Sequence, residues 1–154
     1  MENNNQMTID ALNSLVEINN DRIEGYQTAA KESEDRDLKN LFGQLIQTSQ
    51  KCKQELSAEI VSLGGTPTEE TMITGKFFRV WMDVKAALTG NNRRLILESC
   101  EFGEDKAVAT YDSALKNAMG RLNSNQQSMI SEQRALIKAD HDQVKRLRDS
   151  AVNA

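Results

Sequence analysis

The chain has 154 residues, 38% hydrophobic and 27% charged, which is enough for one domain with a core and too short for two. With 19 basic against 23 acidic residues and a net charge of -4, nothing draws it broadly to nucleic-acid phosphate, and a mean hydropathy of -0.59 excludes a polytopic membrane protein. One proline, eight glycines and 5% aromatic residues argue for long helices and against a turn-rich β-sandwich or barrel.

The first residues, Met1 to Met7, carry neither a basic n-region nor an apolar h-region, so no signal peptide or lipid anchor is visible and a cytoplasmic location is expected. Residues 1–7 are expected to be flexible. From Thr8, read as an N-cap, Ile9, Leu12, Val16, Ile23, Tyr26 and Ala30 recur at helical spacing, interrupted at one inward position by Asn19. The polar run Ser33 to Arg36 breaks this first long helix. A second stripe follows through Leu38, Leu41, Phe42, Leu45, Cys52, Leu56, Ile60 and Leu63. Gly64 and Gly65 supply its C-terminal cap, with Pro67 beyond. The short connection makes these two helices an antiparallel hairpin.

Residues 64–90 read as a long crossover that contains a short extra helix, marked by Phe77, Phe78, Trp81, Met82, Val84 and Leu88. Gly90 closes that helix, and Asn91 or Asn92 can cap the next. A third long stripe runs through Leu97, Cys100, Glu104, Val108, Tyr111 and Leu115, ending near Gly120. After Asn123 a fourth places Met129, Ile130, Ile137, His141, Val144 and Leu147 inward. Four long amphipathic helices in two hairpins joined by one long connection predict an all-α, up-down-down-up bundle over residues 1–154. Tyr26-Gln-Thr-Ala-Ala and Tyr111-Asp-Ser-Ala-Leu end equivalent stripes, a weak sign of internal duplication.

Chemistry-bearing residues are few. Cys52 and Cys100 are too few for a disulfide framework and read as buried free thiols. Seven residues before each tyrosine, two turns up the same face, stand Asn19 and Glu104. A buried carboxylate needs pairing, protonation or a metal, and His141, the only histidine, is its expected partner. The same groups offer a sharper reading, in which Cys52, Glu104 and His141 hold one zinc or iron, with Ser49 and Asn19 around them. A register shift of one residue rotates a position by about 100°, which makes Glu24 and Glu101 the alternative ligands. Cysteine or serine nucleophilic catalysis finds no support, since the thiols lie mid-helix with no oxyanion pocket in view.

These positions resemble the ferritin-like superfamily, particularly the rubrerythrin branch. There the first and third helices each supply a Glu two turns before a core tyrosine, and the second and fourth each supply a Glu-x-x-His pair. Aligned by stripe, those positions fall on Asn19, Glu104, Ser49 to Cys52, and Lys138 to His141, so only Glu104 and His141 keep the family's ligands and the di-iron site is degenerate. The stretches Glu17 to Tyr26, Gly75 to Gly90 and Glu98 to Asp105 more closely resemble an uncharacterised bacterial four-helix-bundle family, domain of unknown function 2383.

The resemblance implies a fold without an assigned activity. The expected protein is a non-enzymatic bundle acting through protein contacts, with a stress-associated role implied by the resemblance alone; no catalytic residue and no cofactor are expected. The alternative is a ferritin-like oxidase or storage protein holding iron or zinc. The aromatic cluster around Trp81 predicts a homodimer, with an unidentified protein partner, no nucleic acid and no membrane among its associations.

Overall fold

The computed structural model describes residues 2–70, 84–90, 92–118 and 120–151, with side chains from residue 5 onward. Four long helices dominate: α1 (Glu2–Glu32), α2 (Arg36–Ser62), α4 (Arg93–Asn117) and α5 (Ser124–Ser150). Residues 84–89 are helical and belong to α3, which precedes α4, and there is no strand among the described residues. Of the aromatic crossover cluster, Phe77, Phe78, Trp81 and Met82 lie outside the described residues.

Local chemistry explains the helix ends. The Asp35 side chain accepts hydrogen bonds from the amides of Asp37 and Leu38 and so starts α2, while Asn92 caps α4 through the Leu95 amide. Asn123 and Gln126 form a reciprocal capping box at the start of α5, satisfying two amides that a helix N-terminus otherwise leaves unpaired. At the end of α2, Gly64 turns with φ 87°, a conformation that disfavours any residue bearing a Cβ. The amides of Gly64 and Gly65 then return to the carbonyls of Val61 and Ile60, the Schellman arrangement. A Cβ on Gly65 would lie 2.9 Å from the Ile9 side chain, so this corner also needs glycine to close onto α1. The expected cap at Thr8 is not the start of α1, which begins at Glu2. Thr8 instead donates its hydroxyl to the Arg121 carbonyl, 3.2 Å away between α4 and α5.

Contacts between helices fix their directions. Along α1 and α4, Asn19 meets Tyr111 and Arg22 meets Glu104. On the other side of the bundle, Glu59 meets Gln126 and Gln44 meets Gln143. Both pairs of helices therefore run antiparallel, as do the two hairpins, and α2 and α4 point the same way. The described start of the connection climbs along α1: Asn13 holds Thr66 and Thr68, and one turn pair further Asn20 donates to the carbonyls of Thr68 and Glu70. At the far end Arg93 pairs with Asp35 at 2.7 Å, tying the start of α4 to the α1–α2 turn.

The core is divided. One apolar cluster joins Ile9 through Ile18 with Leu56, Ile60, Ala107, Ile130 and Ile137. The other joins Tyr26, Leu38 through Leu45, Val84, Ile96, Leu97, Cys100 and Val144. Between them the bundle buries a belt of polar side chains, Asn19, Arg22, Ser49, Glu104 and Gln133. α1 is buried at five successive positions, 18 to 22, because it packs against α2 and α4 on one side and lies under the connection on the other. The predicted stripe of α1 missed this width, and with it Arg22.

Candidate functional site

Arg22 lies at the centre of the belt, 1% exposed. It follows Asn19 by three residues and precedes Tyr26 by four, so all three share the inward face of α1. Its guanidinium forks onto Glu104 of α4, with Nε donating to Oε2 at 2.8 Å and Nη2 to Oε1 at 2.6 Å. The same Nη2 donates to Asp140 Oδ2 of α5 at 3.1 Å, and Nη1 donates to Ser49 Oγ of α2 at 2.5 Å. One side chain thus ties all four long helices together.

The electrostatics follow from burial. Desolvation works against the Arg22 charge, but Glu104, with Tyr26 and Asp140, together more than offset it and raise the guanidinium pKa above its usual value. Desolvation also holds Asp140 above the ordinary aspartate range; Arg22 and Thr48 pull it back only in part, and Glu104 pushes it further up. Tyr26 lies beneath, its ring 5.7 Å from the Arg22 guanidinium carbon and stacked 5.7 Å from Phe42. Burial, reinforced by Glu104, keeps the Tyr26 phenol protonated.

A second chain of hydrogen bonds completes the belt. Asn19 Nδ2 donates to the Leu15 carbonyl at 2.8 Å and to the Tyr111 hydroxyl at 2.9 Å. Tyr111 in turn donates to Gln133 Oε1 at 2.7 Å, and Gln133 Nε2 donates to Glu55 at 3.0 Å and to the Cys52 carbonyl at 3.3 Å. The two tyrosines singled out by sequence are both fully buried, one beside the ionic centre and one in this chain.

The expected pairing of Glu104 with His141 is not formed. Glu104 is inward as predicted, at 0% exposure, but its partner is Arg22. An arginine offers two parallel N–H donors and cannot be deprotonated, which suits a buried carboxylate better than an imidazole. His141 points to the α4–α5 edge, where Nε2 lies 2.6 Å from Asp105 Oδ1 and Nδ1 lies 3.0 Å from Asp142 Oδ1. The Asp142 carboxyl is held down to about 2 by its hydrogen bonds from Lys138 and His141.

Nor do Cys52, Glu104 and His141 form one group. Cys52 is buried and free, next to Tyr111, and burial pushes its thiol up to about 11. With no metal beside it, the thiol therefore stays protonated near neutral pH. Cys100 is likewise buried and free, its thiol raised well above the usual range by burial and by Glu104. Of the alternative ligands, Glu24 is exposed on the outer face of α1. Glu101 does approach His141. Among the described residues, Glu101, Asp105 and His141 are the one set of three whose ligand atoms all lie within 4.8 Å of one another.

The family model described as domain of unknown function DUF2383 matches residues 7–117. The chain belongs to that family. Its match spans α1, α2 and α4 and contributes Asn19, Arg22, Ser49, Cys52 and Glu104 to the belt, while Gln133, Asp140 and His141 on α5 lie beyond it. No curated protein matches the chain. No helix of the described residues is long and apolar enough to cross a membrane.

Proposed function

We propose that this DUF2383 member is a non-enzymatic, ferritin-like bundle in which an arginine–carboxylate centre takes the place of a di-iron core, and that it acts through protein contacts. The observation that carries the reading is Arg22, whose guanidinium reaches Glu104, Ser49 and Asp140 together. Ser49, Glu104 and the stretch Lys138 to His141 are positions where the resembling family supplies metal ligands. Here Ser49 and Glu104 hold a cation that belongs to the chain, joined by Asp140 from between the other two positions, Lys138 and His141. The residues do not fit a di-iron centre: Glu104 is fully engaged by the fork, Ser49 and Asn19 lack a carboxylate, and His141 faces the α4–α5 edge.

The helix directions support the ferritin-like assignment, since α2 and α4 point the same way and are joined by a long connection. Protein contact is supported by the outer face of α4, where Leu95 and Phe102, seven residues apart, are 49% and 51% exposed. The proposal includes a homodimer in the cytoplasm; a stress-associated role rests on the family resemblance alone.

Two measurements test the reading. Incubated with ferrous iron and oxygen, the protein is expected to oxidise iron no faster than buffer; turnover that Glu104→Gln abolishes would overturn the arginine-filled core. Sedimentation tests the dimer, expected for the wild type and weakened in Trp81→Ala; a monomeric wild type removes it.

A further inference from the structure

We propose that the outer face of α4 is a self-association surface, on which α4 of a second copy of this chain lies antiparallel about a two-fold axis at Phe102. The proposal rests on the homodimer proposed above and names the face that forms it. α4 carries two apolar faces. One turns Leu97, Cys100, Ala107 and Tyr111 into the bundle, where they are fully buried. On the opposite side Leu95, Phe102 and Ala109 follow one another at intervals of seven, and all three are exposed. That spacing keeps an apolar seam on one side of a helix, as a facing helix requires, whereas singly scattered surface residues carry no such order.

Shape says which partner the seam fits. Beside it, α1 and α4 leave a groove of about 610 Å³ lined by small side chains, Ala11 and Ser14 from α1 with Ala109, Ser113 and Ala114 from α4. Leu95 projects seven residues before Phe102, and the Ala109 wall of the groove lies seven residues after it. A two-fold axis at Phe102 therefore brings each Leu95 level with Ala109 of the other copy, so that a protrusion meets a recess twice. The two Phe102 rings meet on the axis.

The charges match in the same register. Glu98 and Lys106 stand four residues before and four after Phe102, so the same axis brings Glu98 of each chain level with Lys106 of the other. Within one chain they are about 12 Å apart along the helix and do not pair. Lys106 forms no ion pair among the described residues; its Nζ lies 4.9 Å from the centre of the Phe102 ring, at the middle of the seam. Glu98 is held at the surface by Arg94, at 3.2 Å, and Arg94 comes close to the level of Asp112 of the second copy. Asp105 also lies near the second copy's Glu98, but it already faces His141 of its own chain at 2.6 Å.

Sedimentation equilibrium of the full chain tests the face, and a concentration-dependent dimer is expected. Phe102→Glu should raise its dissociation constant about 10-fold or more, with an unchanged circular dichroism spectrum because the side chain is exposed; Leu95→Ser replaces it if that variant does not fold. Glu98→Lys and Lys106→Glu should each weaken the dimer about 3–10-fold, two pairs being broken at once. Combining the two changes should restore it. Because the two residues do not touch within one chain, such rescue arises only across the interface. A wild type that stays monomeric removes both this face and the homodimer. A dimer indifferent to Phe102→Glu and to both charge changes overturns the face and leaves a homodimer formed elsewhere on the chain. Additive losses in the double exchange overturn the antiparallel register.

Discussion

Glu104 and Asp105 are neighbours on α4, yet they belong to two different kinds of chemistry. Glu104 has no exposed surface and is held by a buried guanidinium; Asp105 is 56% exposed at the side chain and meets a histidine at the bundle edge. A rotation of about 100° between adjacent helical residues separates them. In the interior a charge must carry its partner with it, because leaving one member of a pair alone costs several kcal/mol. At the edge, water supports either ion, so the pairing can be exchanged for solvent. The bundle thus places its fixed ion pair in the centre and its exchangeable one at the surface.

The contrast breaks most easily at Arg22. Arg22→Met leaves Glu104 and Asp140 facing each other without a cation, and should destabilise the fold by about 3–5 kcal/mol. Adding Glu104→Gln should recover a large part of that loss, because the remaining buried charge is relieved. Urea denaturation of the two single variants and the double variant measures the coupling; additive losses would show that the fork contributes nothing as a pair.

Tyr111→Phe comes next. It removes the hydroxyl that joins Asn19 to Gln133 and leaves two buried amides short of a partner, a loss of about 1–3 kcal/mol in the same denaturation experiment. A neutral effect would mean that the amides find other partners across the belt.

Asp140 sharpens the comparison through pH. Its folded pKa is raised above the ordinary aspartate value, so the folded protein takes up this proton more readily than the unfolded chain. The contribution of this group to stability therefore grows as pH falls through the raised pKa and levels off below the ordinary value of about 3.9. Asp140→Asn should remove this part of the profile, so that its stability relative to wild type declines as the pH is lowered from about 7 toward 4. Equal pH profiles for the two proteins would show that Asp140 is not desolvated beside Arg22.

The smallest effect is expected at the edge. Asp105→Asn alters a contact with His141 that is half open to solvent and should change stability by no more than about 1 kcal/mol. A loss as large as that of Arg22→Met would erase the distinction between centre and edge.

Much of the helical framework was legible in the chain itself. Asp35, Asn92 and Asn123 are capping residues at the observed starts, and Gly64 and Gly65 close α2, because these signals act within a few residues of backbone and need no distant partner. The stripe of α2 was read correctly from Leu38 to Ile60 for a similar reason, being almost wholly apolar. The stripe of α1 was harder. Arg22 holds an inward position between Asn19 and Tyr26, but a charged residue in a stripe reads as a face boundary unless its counter-ion is known. The available signal was the spacing, since Asn19, Arg22 and Tyr26 fall on one side of a helix.

Sequence by itself determined the four long helices, the glycine end of α2, the asparagine starts of α4 and α5, the two hairpins and the inward face bearing Glu104, all consequences of hydrophobic period and local hydrogen bonding. Tertiary structure alone decided which charge meets which. The partner of Glu104 comes from α1, 82 positions away, and that of His141 from α4. Ion pairing acts through space: a rotation of one residue, fixed only when four helices pack, exchanges a buried fork for a solvent-edge cluster.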